Sequence, residues 1–376
     1  MLARCPNCDN PVDSDASKCD KCGALFTSGA GWKPVPLLEA TEPEQRYPVE
    51  FTGAAGEYFR VWIVNLVLTI LTLGVYSAWA KVRKKRYFHG HTRIDGDPFE
   101  YRGRPIAILK GRLIAVAAVA LFYGTANFEP SLLWVLAIVA ALAAPWLIVR
   151  SMAFNAYSTA YRNIRLRFRG TYLQCLGLLL WIGLILVVSF GLAYPYFKAR
   201  LMEFLFRKHS YGTTDFEVSD LSYLRIYLRA VGLGLFVGLA AGLVGGVFGA
   251  AFGSDSRTAS VMTTLAGYVG YLFIFSYIRA ELANATWNAV RIGKVRFECA
   301  LQVYQLFGLY LGNIVAIITT LGLATPWAVI RAMRYRAQRM TVIAAAGLES
   351  FVAAESAEVS AAGQEIGEMF DFDLSL

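Results

Sequence analysis

Hydrophobic residues in this chain gather into long runs rather than periodic stripes. Seven apolar stretches, near 58–79, 111–127, 131–149, 174–197, 229–253, 260–278 and 306–330, are each expected to be long enough as helices to cross a ~30 Å hydrocarbon core. Two pairs are joined by a few polar residues, Ala126 to Ser131 and Ser254 to Ala259, so 111–149 and 229–278 predict helical hairpins. The other three stand alone and share a pattern. Thr72-Leu73-Gly74, Ser189-Phe190-Gly191 and Thr320-Leu321-Gly322 each close an apolar run. Five residues after each glycine, Trp79, Tyr196 or Trp327 opens a basic helix, and an arginine follows four residues later. Pro195 and Pro326 fit a first helical turn and Thr325 fits an N-cap. The hairpins end alike, at Trp146 with Arg150 and at Phe275 with Arg279. Sixteen or eighteen residues beyond the arginines come Phe99, Phe168, Phe216 and Phe297, so the unit of one lone segment plus one hairpin reads as an internal repeat. Stretches such as Thr92 to Tyr101 and Trp287 to Phe297 alternate around a glycine and predict short β-hairpins against the membrane face.

Composition agrees with a membrane protein, since 56% of the residues are hydrophobic against roughly 45–50% in ordinary globular chains. Charge adds topology. The net charge is +9, yet residues 1–57 hold nine acids against five bases and residues 343–376 hold seven acids and no base, leaving a body near +20. Its basic residues crowd the connections 80–112, 150–170, 198–229 and 279–296 and the stretch after 330, whereas the hairpin tips contain only Arg257. The positive-inside rule accounts for that pattern and excludes a nucleic-acid partner. If every basic connection lies on one side, the segments 58–79, 174–197 and 306–330 must be re-entrant or interface-lying, broken at their glycines and prolines; seven full crossings would instead place several of these connections, 80–112 among them, outside. Lys81 to Arg86 is then expected to meet anionic headgroups of the bilayer. Residues 1–32 contain no apolar signal region, so the first hydrophobic segment is expected to direct insertion.

The sharpest motif lies ahead of the body. Cys5 and Cys8, ten intervening residues, then Cys19 and Cys22 form two CxxC knuckles, the spacing that closes a tetrahedral four-cysteine site around structural Zn2+. Four ligands leave no open position for catalysis, and so small a segment needs metal to fold. Cys175 and Cys299 have no ligand set nearby and read as packed hydrophobes. The expected fold class is an all-α polytopic membrane protein with internal repeats, a small N-terminal zinc ribbon and short juxtamembrane β-hairpins. Its domains are a zinc ribbon at 1–28, a flexible Pro- and Gly-rich linker at 29–50, the transmembrane body at 51–342 and an acidic tail at 343–376.

The run from Asn65 to Tyr87, with Thr92 to Gly96 and Phe99 to Gly103 after it, resembles the signature of the YjgN-like family of bacterial inner-membrane proteins. The resemblance covers about residues 50 to 340. It implies a multi-pass protein of the bacterial inner membrane and, the family being of unknown function, no catalytic residue; the ribbon is expected in the cytosol.

Chemistry within the body is sparse. His89, His91 and His209 read as solvated or headgroup-facing, Asp95, Asp97 and Glu100 as turn chemistry, and Glu281 as the ion-pair partner of Arg279. Asn65, Thr69, Thr72, Asn313, Thr319 and Thr320, the few polar residues at depth, are expected to hydrogen-bond between helices. Gly234, Gly238, Gly242 and Gly246, four apart, predict close helix packing within the body or in a homo-oligomer. No nucleophile, phosphate loop or metal-hydrolase motif is present, so no enzymatic activity is expected. The functional expectation is a transporter or channel for a small or lipid-like solute; the alternative is a scaffold or sensor whose zinc ribbon and acidic tail recruit cytosolic proteins.

Overall fold

The computed structural model describes residues 2–5, 7–8, 10–13, 17–25, 44–128, 130–253, 257–345 and 347–358. Most of the expected linker and acidic tail, and the tip between the second pair of long segments, lie outside the described residues. A first antiparallel pair, β1 (Leu2–Arg4) and β2 (Pro11–Asp13), belongs to the cysteine module. The body then alternates strands with helix pairs. It runs β3 (Gln45–Phe51), α1 (Ala55–Leu71), α2 (Ser77–His91), β4 (Thr92–Ile94), β5 (Asp97–Tyr101), α3 (Pro105–Phe128), α4 (Leu133–Tyr157), β6 (Thr159–Tyr161) and β7 (Ile164–Phe168). It continues with α5 (Tyr172–Val188), α6 (Tyr194–Arg207), β8 (His209–Tyr211), β9 (Thr214–Val218), α7 (Leu224–Phe252), α8 (Arg257–Ala289), β10 (Val290–Ile292), β11 (Val295–Cys299), α9 (Val303–Thr319), α10 (Thr325–Gln338) and β12 (Met340–Ala344).

The all-α expectation fails here: β3 to β12 close into a single antiparallel barrel, β12 pairing with β3 through Val342↔Tyr47. Separate three-to-five-residue hairpins would be marginal alone and would leave open edges. Closure removes every edge and gives the hairpins a shared interior.

Strand register fixes the layout. The strands flanking each helix pair are neighbours, joined through Phe51↔Thr92, Tyr101↔Thr159, Phe168↔His209, Val218↔Val290 and Cys299↔Met340. All five helix pairs therefore leave and return at one rim. The opposite rim carries two-residue turns. Asp95-Gly96 and Arg162-Asn163 hold two successive positive φ values each (54° and 79°, 43° and 69°), the mirror-image turn that suits the twist of a hairpin. Gly212 and Gly293 supply the single positive φ (60° and 53°) of the other hairpin turn.

Inward-facing Val49, Ile94, Tyr161, Ile164, Tyr211 and Val342 fill the barrel, with Phe99, Leu166, Phe216 and Phe297 packed beside them from the middle of the five-residue strands. Phe168 is not their counterpart: it ends β7, against Phe204 and His209. Two tyrosines satisfy carbonyls inside the barrel. Tyr161 donates its hydroxyl to Ile94 O at 2.8 Å, and Tyr211 to Tyr161 O at 3.1 Å. A helical segment, 348–358, covers the turn rim with Leu348 and Val352 in the core and Phe351 stacked on Tyr211. Its Glu355, 4% exposed, accepts hydrogen bonds from Thr213 N at 2.8 Å, Thr213 Oγ1 at 3.0 Å and the Thr214 hydroxyl. The interior is thus a packed core closed at one end, not a pore.

The helix pairs alternate in length. α3, α4, α7 and α8 have the length and hydropathy of membrane spans, and at most 6% of each apolar window is buried within the protein, so their side chains face outward. The protein is membrane-spanning through these helices. Within the second long pair the close contacts are not those of the expected glycine stripe. A Cβ on Gly245 would collide with Thr263 Oγ1 and one on Gly270 with Val237 Cγ1, whereas one on Gly238, Gly242 or Gly246 meets nothing within 4 Å. The three lone segments become short pairs, a 17-residue apolar helix followed by a basic return helix of 14 or 15 residues. Each of these short pairs starts and ends at the same rim of the barrel.

Candidate metal centre and membrane-facing rim

The four predicted metal ligands come together. Their Sγ atoms all lie within 4.8 Å of one another, with Cys5–Cys22 at 3.6 Å and Cys8–Cys19 at 3.7 Å. A tetrahedral ion with Zn–S near 2.3 Å would set thiolates about 3.8 Å apart, a spacing that the Cys5–Cys22 and Cys8–Cys19 pairs approach. Each knuckle is shaped by backbone bonds, Cys5 N to Asn10 O at 2.9 Å in the first and Cys19 N to Ala24 O at 2.7 Å in the second. Gly23, at φ 73°, completes the second turn. The Ala24 N–H and the neighbouring thiols pull Cys22 down to about 6. Although the Asn10 N–H favours its thiolate, Cys8 is held up at about 12 by desolvation and its three neighbouring thiols. Four sulfurs this close resist full ionisation unless a cation sits among them. Cys175 and Cys299 are buried elsewhere, as packed side chains.

The second site is built from the three short helix pairs. At their tips Leu73, Phe190 and Leu321 adopt φ of 48°, 49° and 51°, and they are 95%, 96% and 94% exposed. A bulky side chain in the left-handed region costs about 1–2 kcal/mol, and leaving it fully exposed in water would forfeit its apolar surface as well. The backbone there needs no water. Gly74, Gly191 and Gly322 each send N–H back five residues, at 2.7–2.8 Å, closing the first helix. Thr72 Oγ1 donates to Leu68 O at 2.7 Å and accepts Tyr76 N–H at 2.9 Å, tying both helices together. Ser189 repeats this with Leu186 O and Ala193 N–H, and Thr320 with Ala316 O and Ala324 N–H. A reversal with its polar groups satisfied internally and a large apolar side chain at its apex suits a hydrocarbon environment.

Other predicted residues fall out differently. Thr325 is not the N-cap; it lies one residue inside α10 and donates to Gly322 O. Thr69 and Thr319 bond carbonyls of their own helices, whereas the Thr72 and Thr320 hydroxyls reach the start of the return helix as well. Asn313 spans helices through its amide, donating to Ala328 O at 3.2 Å and accepting from Arg331 at 3.5 Å. The three histidines sit at helix ends with Nδ1 on the carbonyl four residues back, Lys85, Tyr87 and Leu205. Burial lowers the pKa of His89 and His209, so neither reads as solvent-facing. Asp95 and Asp97 converge on Arg162, at 2.8 and 2.5 Å, which pins one turn to the next. Among the described residues Arg279 makes no ion pair with Glu281.

Sequence reasoning missed the clefts between the short pairs. One of about 500 Å³ lies between α1, α9 and α10, with Gln305, Trp327, Arg331 and Arg334 on its walls. A second, about 360 Å³, lies between α1, α2 and α10 and holds Trp62, Asn65, Lys81 and Lys84. A third of about 360 Å³ lies between α6, α8, α9 and α10, where Lys198, Arg279 and Arg336 meet Trp287 and Tyr310. No carboxylate lines any of them. A partial signal was the repeated aromatic followed four residues later by arginine, which in Trp327–Arg331 places the cation over the ring (5.2 Å) on the wall of the first cleft.

Residues 46–369 match the family described as bacterial protein of unknown function (DUF898). The chain is similar to an inner membrane protein YjgN of Salmonella typhimurium, 25% identical over 159 residues that span 40% of this chain and 40% of that protein. It is also similar to the inner membrane protein YjgN of Escherichia coli K12, 41% identical over 51 residues, 14% of this chain and 13% of the relative. These alignments therefore span less than half the length of either relative. No solved structure matches.

Proposed function

This chain belongs to the DUF898 family of bacterial proteins of unknown function, and from that premise we propose that it is a non-enzymatic inner-membrane protein that moves a lipid-like solute along its open clefts. The observation that carries this is the pairing of three apolar, internally satisfied helix tips with carboxylate-free basic and aromatic clefts between the same helices. A filled and covered barrel offers no aqueous path, so any solute travels beside the barrel, partly in lipid. The basic rim faces the cytosol by the positive-inside rule, giving four full crossings and three re-entrant pairs, with the cysteine module on the cytosolic side. Purified protein in liposomes carrying fluorescent phospholipid tests it. Dithionite should bleach inner-leaflet label in protein-containing vesicles as well as outer-leaflet label, and loss of only the outer-leaflet signal would refute the proposal.

A second reading is favoured by the cysteine module, whose four sulfurs fit structural zinc but sit in a segment that needs no other part of the body to shape it. In that reading the module recruits a cytosolic protein to the membrane. Cross-linking in cells should then recover a partner that disappears when Cys8 and Cys22 are both changed to serine.

A further inference from the structure

The cleft between α6, α8, α9 and α10 carries a more specific assignment. Its three cations come from three different helix pairs: Lys198 from α6, Arg279 from α8 and Arg336 from α10. Such a convergence of like charges is unfavourable without an anion between them, and none is supplied by the protein. Among the described residues Lys198 and Arg279 have neither ion pair nor hydrogen bond, and the Arg336 side chain reaches only the Tyr310 hydroxyl, at 3.1 Å. The nearby carboxylate of Glu203 is taken by Arg200 and Arg207, at 2.7 and 2.8 Å.

Position defines the anion. Cys299, Leu301 and Met340 also line the cleft, and these mark the helix-bearing rim of the barrel, where apolar spans begin. Trp287, Tyr223 and Tyr310 supply amphipathic walls of the kind found at headgroup depth. We propose that Lys198, Arg279 and Arg336 bind the phosphate of an anionic phospholipid headgroup, with the acyl chains leaving between the flanking helices. This rests on the reading that the helix-bearing rim lies at the membrane surface, and it names the lipid class on which the proposed movement would act. Arginine suits the role because its planar fork engages two phosphate oxygens at once.

The test uses the full chain in detergent, titrated with phosphatidylglycerol, with phosphatidylcholine and with inorganic phosphate, and read by native mass spectrometry. The intact protein should retain phosphatidylglycerol in preference to phosphatidylcholine. Lys198→Gln with Arg279→Gln and Arg336→Gln should weaken it about a hundredfold, and Arg279→Gln alone about fivefold, which keeps the test open if the triple variant misfolds. Matched neutralisation of Arg93, Arg167 and Arg291, exposed on the barrel strands, should leave retention unchanged. Equal retention by the triple variant and the intact protein would overturn the assignment. So would equal retention of both lipids, or saturation by inorganic phosphate that phosphatidylglycerol does not displace. Retention without transbilayer movement refutes the proposed function alone, and movement that survives the triple variant with retention intact refutes this site alone.

Discussion

Replacing the tip residues with lysine separates a tip in hydrocarbon from a tip in water. Leu73, Phe190 and Leu321 touch almost nothing in the protein, being 94–96% exposed, so substitution there removes no internal packing. The effect must come from the surroundings. α1, α5 and α9 each have 17 residues, about 25 Å at 1.5 Å per residue, which carries a tip well into a ~30 Å core. A lysine at such depth costs about 2.5–3.5 kcal/mol, and the lost leucine or phenylalanine adds a few tenths more, so about 3–4 kcal/mol per tip is expected. Leu73→Ala should cost far less, since alanine remains apolar. Thermal unfolding in lipid nanodiscs is the assay. For a body this large each kcal/mol lowers the midpoint by about 2–4 °C, giving a drop of roughly 6–16 °C for each lysine variant. Lysine variants that melt within about 1 °C of the unchanged protein would place the tips in water and refute the reasoning.

Chelation, or Cys8→Ser with Cys22→Ser, should release one metal ion per chain and unfold the cysteine module while leaving the body's melting point unchanged; metal analysis alongside calorimetry checks both. Glu355→Ala strands the Thr213 N–H and the Thr214 hydroxyl and should cost about 2–4 kcal/mol, seen as faster amide exchange at residues 212–214. Tyr161→Phe deletes the hydroxyl bond to Ile94 O inside the barrel and should cost about 1 kcal/mol in the same melting assay. Burial lowers the pKa of His89 and His209 in the folded protein, so the unfolded chain binds more protons. Their contribution is therefore present above the unfolded value near 6.5 and declines as pH falls below it, and His89→Gln with His209→Gln should flatten that decline in pH-dependent melts.

Helices were the legible part of this sequence because apolar runs and glycine breaks act locally. The Thr72-Leu73-Gly74 pattern and its two relatives encode their own reversal, down to the hydroxyl that bonds both helices. The hairpin at Asp95-Gly96 was equally readable. Barrel closure was not, because it depends on pairings such as Phe168↔His209 between strands separated by whole helix pairs, and strands of three residues carry almost no periodic signal. Counting to Phe168 rather than Leu166 shows the limit: spacing from an arginine on a helix does not fix which strand position points inward. The cysteine cluster was visible in full, since two CxxC turns constrain geometry locally. The cleft of Lys198, Arg279 and Arg336 was only half visible, because its three cations come from different helix pairs and the sequence shows each alone.

Barrel closure also sets an order of events during synthesis. β3 is made first and β12 last among the barrel strands, yet they are neighbours, with Tyr47 opposite Val342. Every helix pair must be placed in the bilayer before that seam can form, so β3 waits with one edge unpaired through the making of the whole body. The basic Arg46 and the Pro48 on that strand discourage foreign pairing in the interval. Chains arrested ahead of Met340 should accumulate as inserted but open species, vulnerable to protease at the waiting edge.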